Sequence, residues 1–495
     1  MNRKEVKETE KQMSCACAIA NAPLFLVVTL EQHALEVLLM VRSIKNLFAL
    51  IAVTHVCRSW REIFTSRASL WTFLDCADLD KTDAYIQRSR GSPLEIYLTA
   101  HYHHDALLLT LPLIGRLKAL TLSRSRHVLR LTKYFRSHAP LLEKLDIQVQ
   151  GASVIPLESA IFGGNLSSLR ELRLYAILTD LPWKNLTNLT AFEFCQVPGD
   201  EISVTLLLDF FEHAPLLRKI ELVDSLPDFS NAPPKRAVSL PRLRFLRIDA
   251  QQPHSVLLNH LHIPIRASVT LDFELDDDSA PIPHHFPTSL DNLNNISHIT
   301  SISLAFNSGM DMRLNGPSGG LHVFGAWANG GSTPPTLDSQ ILRCLNKFPI
   351  STAEMLVITV YDGSADPKPE GSGAYQALLP MNNLRTLILN YCIDPSFVFV
   401  LNPNRNTSNT VVCPNLEELI LRARDLEGEP CIDELLEMVK ERASWGAKLS
   451  TIVIICRRER TPPERVYRLR KYVEHVEYRL GDESPEWDAV PGEVN

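Results

Sequence analysis

No two cysteines in this chain are spaced C-x-x-C. A structural zinc of the finger type needs such pairs, because two thiolates must converge on one tetrahedral ion, so no metal site of that kind is expected. The ten cysteines, at 15, 17, 57, 76, 195, 344, 392, 413, 431 and 456, are scattered rather than framed. Scattered thiols point to a reducing compartment, cytoplasmic or nuclear, with most of them buried. Catalytic signatures are missing too: there is no G-x-S-x-G elbow, no phosphate loop ending in Gly-Lys-Ser/Thr, no H-E-x-x-H and no glycine fingerprint opening a βαβ unit. The glycine-rich span 316–332 holds no lysine, which a phosphate cradle needs. The expectation is a protein with no catalytic residues, no metal and no cofactor.

Basic charge is in deficit: 50 Lys and Arg stand against 57 Asp and Glu, a formal net charge of -7, so nucleic acid is not an expected partner. Long apolar runs are lacking as well. Residues 16–30 are apolar but broken by Asn21 and Pro23, and too short for a bilayer core that takes about 20 residues, so no membrane span is expected. A cleaved export signal is the alternative reading of that stretch, and it would make this a secreted repeat protein.

What the chain does have is enough apolar material to fold. Hydrophobic residues make up 45% and charged residues 22% of 495, which suits several cores or one long array rather than a disordered chain. Residues 29–64 read as helices. Thr29 with Gln32 forms a capping box, and Leu30, Leu35, Leu38 and Leu39 follow on one side of a short helix. A second stripe, Val53, Val56, Cys57, Trp60, Ile63 and Phe64, keeps the spacing of a buried helical face.

From Leu117 onward an apolar triplet recurs in the form L-x-x-L-x-L. It starts at Leu117, Leu142, Leu169, Leu189, Leu217, Leu243, Ile299, Met355, Leu384, Leu416 and Leu449. Steps of roughly 20–33 residues are those of a repeat array. Proline stands two positions ahead of the triplet at 140, 215, 241 and 414, and HAPLLEKL at 138–145 is echoed by HAPLLRKI at 213–220. Each triplet ends in the alternation of a short strand with one buried face, and one such unit cannot bury its own apolar side. Stacked units would form a curved parallel sheet, with residues such as 204–211 returning as helices.

Four regions follow: a tail to residue 28, a helical module at 29–80, the array at 81–456, and a C-terminal helix (464–478) with an acidic tail. Insertions are expected near 307–340 and 362–373, where Gly, Pro and Ser accumulate. Between the buried strand positions, alternation turns Arg173, Tyr175, Arg247, Tyr361, Ile388, Ile420, Arg422 and Val453 outward, and these are the candidate substrate contacts. Early repeats offer charges there and late ones offer Ile and Val, so the late face should be covered by a partner or by the chain's own tail. Three other clusters read as solvated surface: His101, His103, His104 and Asp105; Asp276–Asp278; and the arginines between 457 and 470.

Residues 52–63, Ala-Val-Thr-His-Val-Cys-Arg-Ser-Trp-Arg-Glu-Ile, with Ser69-Leu-Trp-Thr-Phe73 behind them, resemble the second half of the F-box in fungal F-box proteins. The repeats are similar to the divergent leucine-rich repeats of that group. The resemblance implies an α/β chain with a small N-terminal helical F-box-like module followed by an irregular leucine-rich-repeat solenoid. It also implies docking on the Skp-type adaptor of an SCF cullin-RING ubiquitin ligase, with an unidentified protein substrate held by the array. Position by position, Val56, Cys57 and Trp60 would form the module's core, Leu70 and Trp71 would close it, and Leu30, Leu35, Leu38 and Leu39 would face the adaptor. The Leu-Pro pair that usually opens the family motif is absent; Val28-Thr-Leu-Glu-Gln-His-Ala stands there instead. A repeat scaffold with a degenerate F-box and no ligase role is the alternative.

Overall fold

The computed structural model describes residues 50–481 apart from 52–53, 56, 100, 124–131, 150–153, 158–160, 180–182, 199–201, 228–235, 252–253, 276–285, 288, 307–308, 328–344, 346, 361–371, 391–394, 406–409, 424–430 and 457–463. It is a mixed α/β chain with a large, mostly parallel sheet and few helices. Two compact units divide it, the first reaching Glu171 and the second formed by Leu172–Leu178 and the chain from Trp183 onward.

In the first unit α1 (Arg58–Ser66) and a 3-10 turn (Ala68–Trp71) lead into β1 (Phe73–Leu74), α2 (Leu79–Ser89), β2 (Leu94–Leu98), α3 (His104–Thr110), β3 (Leu117–Leu122), β4 (Lys144–Gln148) and β5 (Ile155–Leu157). Strands β1 to β4 lie side by side, all parallel. Parallel neighbours need a crossover between them, and α2 and α3 supply two of these. Asp78 starts α2 by accepting from the Lys81 amide at 2.7 Å. The register Leu74↔Ile96, Ile96↔Leu120, Leu120↔Leu145 makes one buried apolar row. Parallel strands therefore begin at Phe73, earlier than the triplets suggest. The His101–Asp105 cluster is not on a strand: His104 and Asp105 open α3. Among the described residues no three His, Cys, Asp or Glu side chains converge as a metal site would require.

The second unit holds most of β6 (Glu171–Tyr175), then β7 (Ile177–Thr179), β8 (Ala191–Cys195), α4 (Val204–His213), β9 (Lys219–Val223), β10 (Val238–Ser239), β11 (Phe245–Asp249), α5 (Ser255–Leu258), β12 (Leu261–His262) and β13 (Ser268–Leu275). β14 (Ser301–Phe306), β15 (Gly309–Asn315), β16 (Gly320–Trp327), β17 (Met355–Val360), α6 (Ser372–Leu378), β18 (Thr386–Asn390) and α7 (Pro395–Leu401) follow. The last elements are β19 (Glu418–Ala423), α8 (Cys431–Ser444), β20 (Thr451–Cys456), α9 (Glu464–Leu469) and β21 (His475–Leu480). In space β8, β9, β11, β13 and β16 run parallel; β15 lies antiparallel between β16 and β14; and β14, β17, β18, β19, β20 and β21 resume the parallel order.

Two local devices recur and explain the sequence pattern. The first residue of the triplet closes a turn: Leu217 donates to Ala214 O at 3.2 Å, Leu243 to Leu240 O at 3.0 Å and Leu416 to Cys413 O at 3.1 Å. Pro215, Pro241 and Pro414 thus sit second in a four-residue turn, where a fixed φ near -65° suits the backbone. The second device follows the strand. Ala176, Gln196 and Asp224 adopt φ of 54°, 56° and 47°, directly after β6, β8 and β9. Such a conformation costs a non-glycine residue about 1–2 kcal/mol. Each of these residues offsets the cost by donating its amide to the end of the next strand, at Cys195 O, Val223 O and Asp249 O over 2.7–2.8 Å.

Three expectations change. The triplet placed at Met355-Ile358-Val360 is Ala353-Leu356-Ile358, because Leu356 aligns with Ile302 and Leu387 while Ala353 closes the turn on Ile350 O. Met355–Val360 is apolar on both faces, so alternation alone could not fix its start, although a shift of two keeps the same face inward. The described part of the glycine-rich insertion, to Trp327, is not a loop alone: β15 and β16 form an antiparallel hairpin inserted between β13 and β14. Gly319 serves close approach, since a Cβ there would stand 2.5 Å from the Ile265 and Ala267 carbonyl oxygens. The helix expected over 464–478 ends at Leu469, and β21 follows on a further triplet-like set, Val473-Val476-Tyr478. No helix among the described residues is long and apolar enough to cross a membrane.

Candidate functional site

The sheet of the second unit has one face committed to the core, where Phe192, Ile220, Leu246, Val269, Val323, Met312, Leu304, Ile358, Leu389, Leu421 and Ile454 are buried. The alternate positions make the opposite face, and register fixes its middle row. The row reads Glu193, Glu221, Arg247, Thr270, His322, Arg313, Ser303, Val357, Ile388, Ile420, Val453 and Glu477. It passes from charged to apolar within one sheet.

On the charged half, Glu193 accepts from Lys219 at 2.7 Å and pairs with Arg173 at 3.1 Å. Lys219 also meets Glu221 at 2.9 Å, and Arg247 is held by Asp272 at 2.8 Å and Asp249 at 3.4 Å. Asp311 takes both Arg313 at 3.1 Å and His322 Nε2 at 3.0 Å. Burial works to raise the Asp311 carboxyl, and hydrogen bonds from His322 and Arg313 more than reverse it, holding the group below its ordinary value. Burial also acts to lower Lys219, but its bonds to Glu193 and Glu221 win and raise it. Tyr175 and Phe324 stand exposed among these charges.

On the apolar half Ile388 and Val453 are each only 6% exposed, and Val357 and Ile455 are likewise buried. Asn390 Nδ2 donates to Thr359 Oγ1 at 2.9 Å, joining two buried polar side chains. Ile420 and Arg422 are half-buried. Of the expected substrate contacts, Arg173, Tyr175 and Arg247 fall on the open, charged part of the face, while Ile388 and Val453 are enclosed. Tyr361 lies outside the described residues.

The sequence reading missed Phe324, Asp272, Asp311, Arg313 and His322, which share this face. Part of their signal was present: M-D-M-R-L-N at 310–315 alternates strictly, whereas L-H-V-F at 321–324 breaks the alternation at Phe324. Glycine content masked it.

In the first unit Trp60 is buried and stacks on Phe64 at 5.7 Å between ring centroids. Trp71 is fully buried, donates Nε1–H to Phe64 O at 2.9 Å, meets Tyr85 edge-on at 4.8 Å and lies under the Arg88 guanidinium at 4.3 Å. Cys57 precedes α1 and is half-buried, as is Leu70, while Arg58 and Arg61 are exposed. Leu30, Leu35, Leu38, Leu39 and Val56 lie outside the described residues, as do residues 362–371 of the insertion expected at 362–373, Asp276–Asp278 and the acidic tail from 482 onward.

Reactive groups are kept quiet. Burial pushes the Cys76 and Cys413 thiols up to about 12 and Cys195 to about 11, so each stays protonated and poorly nucleophilic. Arg442 is fully buried without a carboxylate, spending its guanidinium on Val412 O at 2.7 Å, Cys413 O at 2.9 Å and Leu401 O at 3.5 Å. Burial lowers it to about 10. It ties α8 to α7 and to the turn before β19, a packing role. Compared with known proteins, the chain matches no family model and no curated protein, which leaves its function to be argued from these residues and their geometry.

Proposed function

We propose that the chain is a substrate-recognition subunit of an SCF-type ubiquitin ligase, in which a helical F-box-like module binds a Skp-type adaptor and a leucine-rich-repeat-like array holds a target protein. The observation that carries this is the motif at 52–63 and 69–73: of the residues the family resemblance assigns to the interior, Trp60 and Trp71 are buried around Phe64 and Cys57 and Leu70 are half-buried, while Arg58 and Arg61 are exposed. Support for the array comes from the shared strand register, the recurrent Pro-containing turn and the left-handed residue after each of several strands. No residue of the chain would perform chemistry. Tethering a target beside a ubiquitin-charged enzyme raises the effective concentration of its lysines, which is the whole of the mechanism.

Affinity purification from cells with mass spectrometry tests the reading. Adaptor and cullin should be recovered with the wild-type chain and be lost with Leu35→Glu/Leu38→Glu; recovery of neither from the wild type would contradict it.

One observation favours a second reading. The family's Leu-Pro pair is missing from Val28-Thr-Leu-Glu-Gln-His-Ala. A degenerate F-box would then serve as an N-terminal cap on a repeat scaffold. That reading expects stable folding without adaptor and aggregation on deleting residues 29–75.

A further inference from the structure

The charged half of the sheet face is not neutral. Between β8 and β15 it carries the carboxylates Glu193, Glu221, Asp249, Asp272 and Asp311 against the permanent cations Lys219, Arg247 and Arg313, with Arg173 of β6 also paired to Glu193. The cations are already occupied: Lys219 sits between Glu193 and Glu221, and Arg247 between Asp249 and Asp272. Asp224, exposed at the end of β9, adds a further negative charge. The half-buried Cys195 thiol senses the same field, raised first by desolvation and then by Glu193 and Glu221, with Arg247 only partly opposing them.

Within this field Phe324 is a large apolar side chain left open. Phe324 is 45% exposed, and the register sets it between Asp272 on β13 and Asp311 on β15. An exposed aromatic ring surrounded by charge is the usual make-up of a binding hot spot, with an apolar anchor and a polar rim. Acidic rims repel phosphate, which disfavours nucleic acid and anionic lipid as occupants.

We propose that the face from β8 to β15 seats a lysine- or arginine-rich segment of a partner protein, whose apolar side chain rests on Phe324 while its cations meet Glu221, Asp224 and Asp249. This rests on the face being the docking surface of the array, and is independent of attachment to a ligase. The carboxylates would steer the encounter and Phe324 would hold the complex.

The probe is a fluorescein-labelled Lys-Phe-Lys-Leu-Arg-Lys peptide and its counterpart with Glu at every cationic position, titrated with the full chain by fluorescence anisotropy. The basic peptide should bind, weaken with added salt, and lose about tenfold in affinity with Phe324→Ser and with Glu221→Gln/Asp249→Asn. Both variants change exposed or half-exposed groups, and an unshifted thermal melt checks their folding. Equal binding of the two peptides, no binding of the basic one, or indifference to both variants would overturn the proposal. Peptide binding with no adaptor capture would sink only the ligase reading; adaptor capture with no peptide binding would sink only this one.

Discussion

Two halves of one sheet face share a backbone and differ in what they present. From β8 to β15 most of the outward positions are polar or charged and partly open; from β17 to β20 the middle row, Val357, Ile388, Ile420 and Val453, is apolar and buried save for the half-buried Ile420. Inward positions do not change character across the same strands, because the turn, the triplet and the register all demand leucine-like residues there. Fold is thus specified on one side of each strand, leaving the other side free to carry charge in one region and apolar burial in the next.

Substitutions can break this contrast. Ile388 lies between Val357 and Ile420 by register, so Ile388→Asp would strand a carboxylate among apolar neighbours and should cost several kcal/mol, roughly 3–5, read as a fall in the urea midpoint. Core positions should not distinguish the halves. Leu222→Ala on the charged side and Leu421→Ala on the apolar side should each cost about 2–5 kcal/mol and agree within about 1, since both fill the same inward row. A markedly smaller loss at Leu222 would mean that the early strands are held by their charges instead.

Outward charges should matter little to stability. Arg247→Ser removes contacts with Asp249 and Asp272 at a side chain 41% exposed, and should cost less than about 1 kcal/mol in the same titration. The smallest effect is the pH dependence at Asp311. Its folded carboxyl lies below the ordinary 3.8, so the stability it contributes is complete above that value and is lost as pH falls through the folded value. Asp311→Asn should flatten the acid limb of the stability curve slightly while leaving the neutral region nearly level.

Much of the parallel sheet was legible because its strands are marked by buried leucine-like residues and by prolines at the turns before them. Leu243-Leu246-Ile248 and Leu416-Leu419-Leu421 are buried as their spacing requires, and Pro241 and Pro414 mark the turns. What escaped did so for physical reasons. β1 is two residues long, too short to show a period, and β21 follows α9 so closely that its alternation merged with helical spacing. The β15–β16 hairpin hid behind Gly316, Gly319 and Gly320, residues read as loop formers but used for close backbone approach. The candidate face was half legible. Arg173, Tyr175 and Arg247 follow from alternation, whereas Phe324 and Asp311 required knowing that the hairpin inserts between β13 and β14.

The most direct measurement is co-elution of the purified full-length chain with a purified Skp-type adaptor on size exclusion. A substrate-recognition subunit should share one peak with the adaptor and separate from it when Leu35 and Leu38 are both changed to Glu. Two independent peaks for the wild-type chain, well folded by its melting curve, would contradict that assignment.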